Sequence, residues 1–194
     1  MWPWTHFAVG YVAVSVIARA RDRRVDDAAF VAVLAGSQFP DLVDKPLAWR
    51  FDLLPSGTSL AHSVFVAVPT CLLAWFVARR CGHGPLAFAF AVGYLFHLPG
   101  DIVYRTITSG GPPAAGALLW PLVSQPAGGE PAGLLEETLY YVRRYSVFLS
   151  RPSALRYVLF EVSLLSTTLW LWLRDGRPGL GLVTGCLKRL RSRG

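Results

Sequence analysis

The sequence predicts an all-α fold, a multi-pass membrane helical bundle of about five helices with an added interfacial amphipathic helix. Three observations carry that prediction. Of 194 residues, 53% are hydrophobic and 16% charged. An average soluble domain is about 25% charged, so this chain lacks the polar residues to cover a solvated globule. Its apolar residues fall in long runs, and its basic residues flank those runs. Low hydrophobicity, the mark of a disordered chain, is absent. Cys71, Cys81 and Cys186 are far apart and form no CxxC, which excludes a disulfide scaffold. The net charge of +7 is not read as nucleic-acid binding, because a binder of that kind clusters its basic residues on a water-facing surface.

A bilayer-spanning helix needs roughly 20 apolar residues, with about 17 as the lower limit. Residues 7–20 carry no charge before Arg19, and Trp2 and Trp4 precede them as an interfacial anchor. The start lacks a basic segment and a small-residue cleavage site, so these residues are expected to remain in the working protein. The run 28–40 is apolar but short, and reads as a thin span or a partly buried helix. Residues 61–78 have a histidine at the very start and then only Cys71 as an ionisable group; 85–103 are apolar until His97 and Asp101. Pro99 would kink that helix end, since it removes a backbone donor and clashes with the preceding turn. Between 110 and 133 the chain is rich in Gly, Pro and Ala and reads as loop. Residues 134–150 space Leu135, Leu139, Val142 and Leu149 at helical intervals, with Glu136, Glu137, Arg143 and Arg144 on other faces, as an interfacial helix would. The last span, 154–173, is interrupted by Arg156 and Glu161. The whole of 1–194 forms a single membrane domain: a core in 1–125, the interfacial helix, the last span and a basic tail in 174–194.

Cytoplasmic loops are enriched in Lys and Arg. With five alternating spans and the N-terminus outside, the basic residues around 19–24, at 79–80 and in the tail fall inside, twelve of the 19. That orientation leaves the basic tail cytoplasmic.

Ionisable residues at membrane depth are costly and suggest a function. His6, Asp41, His62, His97 and Asp101 stand out. His6 to Asp41 is 35 residues, and His62 to His97 is again 35. A helical hairpin uses about 17 residues a leg, roughly 26 Å, so each interval returns the chain to the side it left. All five residues are therefore expected at one membrane face, the outer one. Imidazole and carboxylate together suit a divalent ion such as zinc, manganese or iron, and an open position beside three or four such ligands describes a catalytic centre. His83 lies beside Arg80 on the opposite side and is left out.

The same residues carry a family resemblance. Thr5-His6, the segment Gly36-Ser37-Gln38-Phe39-Pro40-Asp41-Leu42-Val43-Asp44-Lys45, then Gly57-Thr58-Ser59-Leu60-Ala61-His62-Ser63, Gly93-Tyr94-Leu95-Phe96-His97 with Asp101, and the later Leu118-Leu119-Trp120-Pro121-Leu122 resemble the membrane-bound metal-dependent hydrolases, the family that includes the LexA-regulated inner-membrane protein of enteric bacteria. More distantly, the ordered set is similar to the zinc-dependent phospholipase C and single-strand nuclease superfamily. That resemblance implies one metal held by Asp41, His62, His97 and Asp101, and a second by His6 with Asp101 as bridge. In those soluble enzymes the N-terminal amine also ligates a metal. The further His and Glu that complete a third zinc site there have no match here.

The expected function is a membrane-embedded metal-dependent hydrolase with one or two divalent ions, zinc first. It would cleave a phosphoester, such as a lipid head group, with metal-activated water. Asp41 or Asp44 would orient or deprotonate that water, and Lys45, Arg50 or Arg105 would hold the phosphate. The membrane lipid is the expected partner. Two alternatives from other classes are a non-catalytic metal-binding transporter or sensor, and an adaptor that docks through the basic stretch 188–193.

Overall fold

The computed structural model describes residues 1–109, 113, 115–125 and 133–182. Among them it is all helical: α1 (Pro3–Arg19), α2 (Asp27–Trp49), α3 (Val64–Arg80), α4 (Gly84–Ser109), α5 (Leu134–Leu149) and α6 (Ala154–Arg174), with a short 3-10 turn at Gly116–Leu119. The sequence that places Pro3 at the first position of α1 follows the rule that proline's missing donor costs nothing there. The side chain of Asp26 caps α2 by accepting from Ala29 N at 2.7 Å, a bond that stabilises a helix start by about 1 kcal/mol. Ser63 caps α3 in the same way through Phe65 N.

Two of the described helices are long and apolar enough to cross a membrane, Gly84–Thr108 within α4 and α6. The five expected spans narrow accordingly. Helices α1 and α3 stop at 17 residues each. Helix α2 does not end at Pro40 but continues to Trp49, and so takes Asp41, Asp44 and Lys45 into its second half. Helix α4 likewise runs on past Pro99 to Ser109. Neither proline ends its helix, because packing against a neighbouring helix outweighs one lost hydrogen bond; Pro40 is fully buried.

The packing that does this is close. A Cβ added at Gly36 would lie 2.0 Å from the Phe90 carbonyl oxygen, and one at Gly93 would lie 2.5 Å from that of Val33. The backbones of α2 and α4 therefore touch across a pair of glycines, the device that lets membrane helices approach without a hydrophobic driving force. Gly10 of α1 meets the same crossing: a Cβ added there would lie 3.2 Å from the Gly93 Cα. Around it Tyr11, Val14, Val33, Val92 and Leu171 form the core shared by α1, α2, α4 and α6. Ala67, Cys71, Tyr94 and Leu98 join α3 to α4.

Two buried acids fasten α6 to α1. Asp175, at the end of α6, accepts from Tyr11 Oη at 2.9 Å and Ser15 Oγ at 2.7 Å, and pairs with Arg19 at 2.6 Å. Near the start of α6, Glu161 accepts from Trp4 Nε1 at 2.9 Å and Thr5 Oγ1 at 2.8 Å. The outward faces of α3 and α6 are apolar, with Leu72, Leu73, Phe76, Leu155, Val162 and Leu169 all exposed. Helix α5 covers the segment where an amphipathic helix is expected and leaves Leu135, Leu139 and Val142 exposed. Most of the basic tail, 183–194, with Cys186 and the stretch 188–193, lies outside the described residues.

Candidate metal centre

The glycine crossing sets the register of the site. Asp41 follows Gly36 on α2, and His97 and Asp101 follow Gly93 on α4, so close backbones bring their side chains to one end of the bundle. His62 arrives from the loop before α3. That loop is built on Asp44, whose carboxylate is fully buried and accepts from Ser59 N and Ala61 N, each at 2.8 Å, and from His62 N at 3.3 Å. Tyr94 Oη donates to the Ala61 carbonyl at 2.7 Å and fixes the loop from α4.

One ligand atom each from Asp41, His62, His97 and Asp101 lies within 4.8 Å of every other, a set that could hold a metal ion. The Nε2 atoms of His62 and His97 face each other at 3.2 Å. His62 Nε2 is 3.3 Å from Asp101 Oδ2 and 3.7 Å from Asp41 Oδ1. His97 Nε2 is 3.7 Å and 3.8 Å from the same two atoms. Both Nδ1 atoms are committed elsewhere: that of His62 donates to Asp44 Oδ2 at 2.8 Å, and that of His97 to the Ser37 carbonyl at 2.7 Å. A neutral imidazole that donates from Nδ1 presents a lone pair at Nε2. Two lone pairs and two carboxylates thus converge on one point, an arrangement that a divalent cation satisfies and that neutral hydrogen bonding cannot. A carboxylate or carbonyl behind a metal-binding histidine is the usual means of fixing its tautomer and raising its basicity. Burial works against charge on His62, but the carboxylates of Asp101 and Asp44 outweigh it and raise its pKa to about 9.

His6 joins the cluster from α1. Its ring stacks on that of His97 with centroids 3.5 Å apart and planes within 8°, and its Nε2 is 3.1 Å from Asp101 Oδ1. Although the residue is 1% exposed, its Nδ1 has no hydrogen-bond partner. The Met1 amine also lies against Asp101 Oδ1. A buried nitrogen without a partner is compatible with a site that could hold an ion. The chemistry of the donor set, imidazole with carboxylate, fits zinc, manganese or iron.

All five residues singled out by their spacing therefore come together. The others fall around them. Asp44 is turned away from the converging atoms and holds His62. Lys45 pairs with Asp41 Oδ2 at 2.6 Å and lies over the Trp49 ring. Arg105 donates to Thr58 Oγ1 at 2.7 Å beside a narrow cleft lined by Thr58, His62, Leu98, Asp101, Ile102 and Arg105. Arg50 is exposed at the end of α2. The segment around Trp120 closes the other side: its carbonyl accepts from Ser63 Oγ at 2.6 Å, and Leu118 lines the cleft. Sequence reasoning did not find the Ser37 carbonyl, which no side-chain pattern signals. It also passed over Glu161, whose signal was its being an acid inside an apolar run.

Comparison with curated proteins finds no match, and neither does comparison with solved structures. A family model described as YdjM inner membrane protein matches residues 1–177, which takes in every residue of the cluster and all six helices. The chain belongs to the YdjM family of inner membrane proteins.

Proposed function

We propose that this protein is a membrane-embedded metal-dependent hydrolase that cleaves a phosphoester at the membrane interface. The observation that carries the reading is the convergence of His62 Nε2, His97 Nε2, Asp41 and Asp101 with both Nδ1 atoms already committed. Asp41, His62, His97 and Asp101 would hold one divalent ion, zinc first. His6 and the shared Asp101 would hold a second. When bound, such an ion supplies Lewis acidity and lowers the pKa of a coordinated water toward neutrality.

The chain's own residues supply the rest. Asp44 keeps His62 in the tautomer that turns a lone pair inward. Asp41 divides its oxygens, Oδ2 on Lys45 and Oδ1 toward the two histidines, and would orient the attacking water beside the ion. Asp44 does not take that role, because its oxygens are filled by backbone and imidazole N–H groups. Arg105, with Thr58, stands on the cleft wall where an anionic oxygen would enter next to His62 and Asp101. Lys45 serves Asp41 and not the substrate. Leu98 and Ile102 make the same cleft partly apolar, in keeping with a lipid-borne phosphoester.

The basic ends of α1, α3 and α6, at Arg19, Arg79, Arg80 and Arg174, lie at the opposite end of the bundle from the cluster. By the bias of Lys and Arg toward the cytoplasm, the site faces outward. The apolar outer face of α3 supports more than two crossings. The test is hydrolysis of a chromogenic phosphodiester and of phospholipid in detergent by protein loaded with zinc or manganese. Turnover that H62A and H97A abolish is expected; equal turnover in these variants would overturn the reading.

A further inference from the structure

Glu161 lies in α6, one of the two helices apolar enough to cross a membrane, and is 8% exposed. A carboxylate in such a place is expensive unless its oxygens are satisfied. Here Oε1 accepts from Trp4 Nε1, from Thr5 Oγ1 and, at 3.4 Å, from Tyr157 Oη, while Oε2 accepts from Tyr145 Oη at 2.7 Å. Two of these donors are the residues immediately before His6. The first turn of α1 has no side-chain cap, and among the described residues the only polar partner of the His6 ring nitrogens is Asp101 Oδ1, 3.1 Å from Nε2. Glu161 holds that turn to α6, beside Gln38 Nε2, which donates to the Pro3 carbonyl at 3.0 Å, and the Met1 amine on Asp101.

We infer that Glu161 is a positioning residue for the metal centre: through Trp4 and Thr5 it fixes the first turn of α1 so that His6 presents its ring to Asp101. The inference rests on the metal-centre reading above. It also makes α5 part of the device, because Tyr145 reaches Glu161 from that helix. Asp175 provides an internal control. It fastens the same pair of helices with the same kind of bonds, but at the end remote from His6. A role confined to stability would be shared by both acids; a positioning role belongs to Glu161 alone.

Zinc affinity and ions bound per chain, measured on the full-length protein in detergent against a competing chelator, test this. H6A is expected to weaken zinc binding about tenfold or more, and E161A to do the same. E161Q keeps an oxygen for Trp4 and Thr5 and is expected to restore most of the loss. In the H6A background E161A adds less than about twofold, because the two act through one group. D175N lowers the melting temperature and leaves zinc affinity unchanged. Cobalt(II) bound to E161A is expected to show the same change in visible spectrum as in H6A.

The inference is overturned if H6A has no effect, if E161A binds zinc as the wild type does, if the H6A and E161A losses multiply, or if D175N weakens zinc as much as E161A. Should E161A fail to fold, the W4F/T5V double variant removes the same two donors and is expected to show the His6-type loss; wild-type zinc affinity there overturns the inference equally. The underlying reading fails separately: wild-type zinc in H62A and H97A would remove the metal centre itself, whereas loss there with no effect of E161A removes only the positioning role.

Discussion

His62 and His97 point their Nε2 atoms at each other across 3.2 Å while each gives its Nδ1 proton to an acceptor behind it. In the metal-free protein a proton on His62 relieves this opposition, and the two flanking carboxylates stabilise that proton. A cation at the centre replaces it. The competition between proton and metal governs the behaviour expected of the site.

It makes metal binding pH-dependent. His62 titrates at about 9 with its folded-state pKa raised from 6.5, so below pH 9 each bound ion must displace its proton. Affinity is expected to rise by up to about tenfold per pH unit from 6.5 toward 9 and then level, with proton release on binding. In the metal-free protein the raised pKa contributes stability that is full below 6.5 and lost as pH rises through 9. Calorimetric zinc titrations in buffers of different ionisation enthalpy measure the released protons.

Asp44 should matter as much as a ligand without being one. Replacing it by Asn halves its acceptor capacity, leaves a buried loop N–H or the His62 Nδ1 without a partner, and costs about 1–3 kcal/mol for each group stranded. D44N is therefore expected to lower thermal stability and to weaken metal binding by about 10- to 100-fold. Chelator competition, run beside thermal unfolding, separates the two effects.

Gly36→Ala tests whether the helix crossing builds the site. A Cβ there would sit 2.0 Å from the Phe90 carbonyl oxygen, and because backbone cannot yield as a side chain does, α2 must move off α4. A stability loss of about 1–3 kcal/mol is expected, or more. Metal affinity should fall with it, since Asp41 moves away from His97 and Asp101. Gly10→Ala, whose nearest contacts are 3.2 Å, should be milder in both respects.

Arg105→Ala should leave metal content intact and lower kcat/KM toward an anionic phosphoester by roughly 10- to 100-fold, the worth of one charge-assisted hydrogen bond. Steady-state kinetics with metal counted in the same preparation measure both. Lys45→Met should show the opposite pattern, weaker metal binding through a less constrained Asp41.

Much of this site was legible in the sequence. Two intervals of 35 residues returned the chain to one side, and that periodicity placed His6, Asp41, His62, His97 and Asp101 together without any contact information. The helix ends were less legible. The apolar run stopped at Pro40, and Pro99 read as a kink, yet both helices continue, because the gain from a backbone-to-backbone crossing at Gly36 and Gly93 is tertiary and leaves no local trace. Asp44 looked as able as Asp41 to orient the water; only the fold shows that it turns into the loop and behind His62, away from the converging Nε2 atoms. Glu161 appeared as a blemish in an apolar run, since its meaning depends on Trp4 and Thr5, more than 150 residues earlier.

The most direct measurement is the number of divalent ions per chain in purified protein, by elemental analysis, for the wild type, H62A and H97A. About one ion or more per wild-type chain is expected, with less than about a tenth of that in either variant, because each removes a lone pair from the convergence. A wild-type protein without a near-stoichiometric ion, or variants that retain it, would contradict the account.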